Sequence, residues 1–226
     1  MAKRTDYNDI IEKGRSANLG EIKFQNIIHA GLAFSGMLRI LKKKQKIILH
    51  EKLLGVMKLL NDTQDIESFE KIHSEFCKWG TESIWLAEKT GKYLKPERLI
   101  SYGQIAKTLN VVLKVAIHYA QLPDVQKAKS IRPWLHAAVD NAMMKMLKRT
   151  YKQDMESPWP ESIEQVCRDQ YLQIQAFVQN FIVQNHSQKP INAIDFDDIY
   201  WNLLNKKNSD NFAENDEGAN HGQETD

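Results

Sequence analysis

Apolar positions recur along most of this chain at intervals of three and four, the spacing of one face of an α-helix. From Glu21 to Leu60 the residues Ile27, Ile28, Leu32, Phe34, Leu38 and Leu41 keep that spacing. A break near Lys42–Gln45 divides the stretch into two predicted helices, and Asn61-Asp62 ends it. Gly31 and Gly36 weaken such a helix by about 1 kcal/mol each relative to Ala, and a second helix approaching closely explains their presence. Asp65 is placed to cap a helix that carries Ile66, Phe69, Ile72, Phe76 and Trp79 on one face and stops at Gly80. Thr81 reads as the cap of another, Glu82 to Lys89, closed by Gly91. A turn at Pro96-Glu97 precedes the most apolar helix, Ile100 to Gln121. Residues 122–133 break the pattern at Pro123 and Pro133, and a helix from Trp134 to Arg149 follows. Ser157-Pro158 is placed as a cap before Glu161–Gln184, and Asp195 as the cap of a last short helix through Trp201 and Leu204. A short helix over 5–14 ends at Gly14.

These elements predict an all-α protein, a single globular helical domain of seven or eight helices over residues 1–204. No internal repeat and no β-hairpin is legible. Residues 205–226 are polar with one aromatic, Phe212, and are expected to be a disordered acidic tail.

Composition narrows the class. Of 226 residues, 42% are hydrophobic and 27% charged, which excludes wholesale disorder, and 10 Gly with 6 Pro are few for a turn-rich β domain. No run of eighteen apolar residues exists, so no spanning helix is expected. Met1-Ala2-Lys3-Arg4-Thr5-Asp6 has no apolar stretch behind its charges, so a secretory signal is not expected and a cytoplasmic location is. Two cysteines, Cys77 and Cys167, are too few for a disulfide scaffold or a cysteine-ligated cluster. No CxxC or HxxxH spacing supports a metal site, and no cofactor is predicted. The tail carries two Lys against six Asp and Glu, leaving +6 on the rest of the chain. Seven Lys or Arg against a lone Glu51 lie between Arg39 and Lys58, a cluster that is either a solvated helix face or an attractor of polyanions.

The helix around residues 104–121 joins pattern to chemistry. Ile105, Ala106, Leu109, Val112, Leu113, Ala116, Ile117 and Ala120 give it a wide apolar face, so it belongs in the middle of the domain. Gln104, Lys107, Asn110, Lys114, His118 and Gln121 fall in a stripe about 120° wide. That stripe is either where the helix meets water, with Lys107 snorkelling, or a partly desolvated seam. Desolvation disfavours an ammonium and leaves a neutral amine, a nucleophile.

The segment Tyr102-Gly103-Gln104-Ile105-Ala106-Lys107-Thr108-Leu109-Asn110-Val111-Val112-Leu113 resembles the second helix of the helix-hairpin-helix DNA glycosylase superfamily, where a Lys-Thr pair opens a helix rich in Ala, Asn, Val and Leu. Leu135-His136-Ala137-Ala138-Val139-Asp140-Asn141 is similar to that family's apolar lead into a Val-Asp step that opens the next helix. Leu147-Lys148-Arg149 stands where that helix usually ends. The long spacer between Lys107 and Asp140 looks like that of the archaeal 8-oxoguanine glycosylase branch. The resemblance covers about 50 residues. It implies DNA as partner, Lys107 as the catalytic amine and Asp140 as the supporting carboxylate. One departure is that the family's hairpin holds a DNA phosphate on a Gly-x-Gly, whereas only Gly103 is present here, offset from the expected place.

Around that pair, Tyr102, Lys114, Trp134 and His136 are placed with substrate binding, and Gly103, Lys127, Lys129 and Arg132 with DNA phosphates. Base excision is therefore the expected activity. Its alternative is a non-catalytic helical module that binds nucleic acid or a protein partner. A helical nuclease is disfavoured because Arg132 and His136 have only an Arg-x3-His spacing and no strands carry the Pro123-Asp124 pattern.

Overall fold

The computed structural model describes residues 18–86, 89–90, 93–94 and 98–203. The expected helix over 5–14 and the expected disordered tail lie outside them. Eight α-helices dominate the described residues: α1 Leu19–Phe34, α2 Lys43–Asp62, α3 Ile66–Ser83, α4 Tyr102–Leu113, α5 Val125–Ile131, α6 Asn141–Thr150, α7 Arg168–Asn185 and α8, residues 193–203. The protein is all-α.

Helix α4 is the axis of the fold, with α1, α3 and α7 packed against it. Ile105, Ala106, Leu109 and Val112 are fully buried there. Its start is fixed by a reciprocal cap: Gln104 N donates to Ser101 Oγ at 3.2 Å, and Ser101 N donates to Gln104 Oε1 at 3.2 Å. Beyond Leu113 the coil widens into a π-helix, Lys114–Tyr119.

Two glycines set how close the neighbours come. A Cβ on Gly31 would lie 2.8 Å from the Val112 Cα, so α1 and α4 touch backbone to backbone. Gly31→Ala is expected to push the helices apart and cost about 1–3 kcal/mol, read from urea denaturation. Gly80 does not end its helix as the sequence pattern suggests. It lies within α3, where a Cβ would collide with the Ile105 side chain. Gly36, at φ +76°, lies outside α1, whose last residue is Phe34.

Other expectations are corrected by local bonding. Thr81 caps nothing: α3 runs on to Ser83, and the chain turns into short antiparallel strands, with β1 Trp85–Leu86 paired to β4 Arg98–Leu99 and β2 Lys89–Thr90 to β3 Tyr93–Leu94. Residues 122–133 hold α5, which Asp124 caps by accepting from Gln126 N and Lys127 N at 2.9 Å. The predicted helix from Trp134 does not begin there. A short 3-10 turn, Arg132–Trp134, is followed by extended residues 135–140, and α6 begins only at Asn141. Ser157-Pro158 lies in coil ahead of α7. Asp195 is inside α8, where its carboxylate accepts from Asn192 N at 2.9 Å.

Candidate functional site

Lys107 and Asp140 lie 33 positions apart in sequence and line one cavity of about 350 Å³, within the range of small-molecule sites. Helix α4 presents Lys107 and, two turns on, Lys114. Asp140 arrives from the extended 135–140 strap as the cap of α6. Its Oδ1 accepts from Ala142 N and Met143 N, both at 2.9 Å, while Oδ2 makes no hydrogen bond with a described residue. One oxygen builds the helix and the other is left without a hydrogen bond among the described residues. Lys107, half-buried, forms no ion pair or hydrogen bond among the described residues.

The polar stripe of α4 meets water only in part. Gln104 is 6% exposed and Asn110 1%. Lys107, Lys114 and His118 are half-buried, with the two lysines at the cavity, and Gln121 is exposed.

The opposite wall comes from α8, which the sequence pattern left without a role. Asp197 and Asp198 both pair with Lys114, the latter at 2.5 Å. Burial pulls the Lys114 ammonium down, but the two carboxylates outweigh it, and it stays above the ordinary lysine value. Burial pushes Asp197 up more than Lys114 pulls it down, and the nearby Asp198 and Asp140 charges add to the rise. Tyr119, from the π-helix, donates to Asp198 at 2.6 Å, and burial with that bond pushes its phenol up to about 12. Two aromatics at the cavity are open to solvent, Trp201 at 50% and Phe34 at 77%. Asp197 and Trp201 are four apart, hence on one helix face; that spacing was the signal available in the sequence.

The other residues singled out by sequence do not line this cavity. Trp134 packs on Phe69, with ring centroids 6.4 Å apart. Tyr102 packs on Tyr171 at 5.4 Å, and burial raises its phenol. His136 is bonded on both nitrogens, to Tyr171 at 2.7 Å and Glu70 at 2.8 Å. Gly103 is buried with its N–H donating to Val166 O at 3.0 Å, so that amide is engaged within the fold. The Lys127 ammonium donates to the Thr63 carbonyl, and Arg132 pairs with Asp195 at 2.7 Å. Lys129 is exposed and has no ion pair among the described residues.

Behind α4 lies a buried polar chain. Asn110 Nδ2 donates to Ala137 O at 3.0 Å and to the Tyr171 hydroxyl at 2.9 Å, which leaves Oδ1 to accept from His73 Nε2 at 2.9 Å. Tyr171 then donates to His136 Nδ1, and His136 Nε2–H donates to Glu70. Burial, with the His136 charge adding, depresses His73 to about 3. The unfolded chain therefore takes up a proton that the folded protein refuses. Below pH 6.5, and down to about pH 3, this histidine costs the protein stability as the pH falls. Denaturation midpoints from pH 7 to 4 are expected to fall less steeply for His73→Gln than for the wild type. Burial also raises the Cys77 thiol, which leaves it inert.

Among the described residues no group of His, Cys, Asp and Glu could hold a metal ion, and no helix is long and apolar enough to cross a membrane. Comparison of the chain with protein-family models, curated proteins and solved structures finds no match.

Proposed function

We propose that this protein is a DNA base-excision glycosylase with lyase activity, using Lys107 as nucleophile and Asp140 as the carboxylate beside the reacting sugar. The observation that carries the reading is the meeting of these two groups at one cavity, with the amine and one aspartate oxygen making no polar contact among the described residues. Two lysines line that cavity, and chemistry chooses between them. Lys114 is clamped by Asp197 and Asp198 and held as an ammonium, which has no lone pair to give. Lys107 has no such clamp.

In the proposed reaction a flipped nucleotide places its base in the cavity, where the exposed Phe34 ring offers a face for stacking. Lys107 Nζ, once it has given up its ammonium proton to solvent, forms a bond to C1′. The glycosidic bond breaks with its electron pair leaving on the base, which takes up a proton. The amine gives up its proton, and the sugar ring opens to a Schiff base. Asp140 Oδ2 stabilises the positive charge that builds at C1′. Asp198, the more exposed of the two carboxylates that clamp Lys114, is an acceptor for the exchangeable N–H groups of a purine. 8-Oxoguanine, the substrate of the branch that the sequence resembles, has those groups.

Duplexes carrying 8-oxoguanine or an abasic site test this. Base release and a borohydride-trapped protein–DNA adduct are expected. A salt-dependent mobility shift without release or trapping would instead make the protein a non-catalytic DNA-binding module.

A further inference from the structure

The geometry points to Asn110 as the positioning residue that sets the separation of Lys107 from Asp140, through the hydrogen bond between its side-chain amide and the Ala137 carbonyl; this rests on the base-excision reading above. Asp140 reaches the cavity on a strap, residues 135–140, that is neither helix nor strand. No ladder of backbone bonds fixes such a segment, so its place depends on side chains. Ala137, three residues before Asp140, is fully buried, and both of its polar groups are bonded to side chains. Its N–H donates to Gln175 Oε1 at 3.1 Å, and its carbonyl accepts from Gln175 Nε2 and Asn110 Nδ2, both at 3.0 Å. Gln175 ties the strap to α7. Asn110 ties it to α4, one turn after Lys107.

The two elements that carry the reacting groups are thus joined by one amide. A void of about 10 Å³ lined by Lys107, Asn110, Ala137 and Tyr171 brings these residues around a single point. The amide itself cannot turn. Only Nδ2 can face a carbonyl, and Oδ1 is then held by His73 while the second N–H is held by Tyr171. Each of those partners is anchored in turn, Tyr171 by His136 and His136 by Glu70. Asn110 is therefore a rigid spacer whose own orientation is fixed from behind.

Asn110→Leu keeps the volume and removes the bond to Ala137. Under a saturating 8-oxoguanine duplex, its single-turnover rate of base release is expected to fall by about ten- to a hundredfold, because small misplacements of reacting groups cost that much. The dissociation constant for the same duplex, read by mobility shift, should stay within about twofold. Leu49→Ala, a core truncation on α2, reports what lost stability alone does and should leave the rate of the folded protein unchanged. If Asn110→Leu does not fold, Asn110→Ser carries the same expectation. Base release by the Asn110 variant at the wild-type rate overturns the positioning role while leaving base excision intact. So does an equal loss in Leu49→Ala. A wild-type protein that forms no adduct removes the base-excision reading and this role with it.

Discussion

Lys107→Gln is expected to lower adduct formation on abasic DNA by at least about a thousandfold, to the level of background. Glutamine keeps the length and polarity of the side chain but has no amine to bond C1′. Because Lys107 makes no ion pair or hydrogen bond with a described residue, the substitution breaks no polar contact among them, and the denaturation midpoint should move little. The same change at Lys114 should behave differently. It would leave Asp197, 4% exposed, without its cation, and removing one partner of a buried pair costs about 3–5 kcal/mol. A stability loss at position 114 with none at 107, and an activity loss at 107 in a stable protein, together assign the roles. Persistent trapping by Lys107→Gln would move the nucleophile elsewhere.

Asp140→Asn separates the two duties of the aspartate. Asparagine caps helices about as well as aspartate, so its Oδ1 can still accept from Ala142 N and Met143 N, and stability should change by less than about 0.5 kcal/mol. What is lost is the charge at the free oxygen. Release of 8-oxoguanine from duplex DNA should fall by about a hundred- to a thousandfold, the scale of one electrostatic stabiliser removed from a transition state. Preformed abasic DNA has no base to expel, so adduct formation there should fall far less. An equal loss on both substrates would place Asp140 in another step, and no loss on either would confine it to capping α6.

The helical class and the central place of α4 were legible because its apolar face is wide and uninterrupted, and a pattern of that kind survives any tertiary context. The Lys107–Asp140 pair was legible only through the local wording of two segments, since nothing in periodicity brings residues 33 apart into one cavity. The strap at 135–140 was misread as helix. Its apolar run of Leu135, Ala137, Ala138 and Val139 has helical composition, but Asp140 begins a helix instead of continuing one, and the strap's polar groups are satisfied by Asn110 and Gln175, far away in sequence. Gly80 was misread as a stop for a related reason: a glycine that admits a neighbouring helix and one that ends its own look alike in sequence. The α8 wall escaped because a short helix near the end of the chain gives little pattern, although the four-residue step from Asp197 to Trp201 was there to be seen.

Lys107 as the bonding atom is tested most directly by reducing the complex with abasic DNA, digesting both polymers and locating the added sugar mass by peptide mass spectrometry. The mass is predicted on the peptide containing Lys107, at its Nζ. Finding it on Lys114 or any other amine, or finding no modified peptide, would contradict the account.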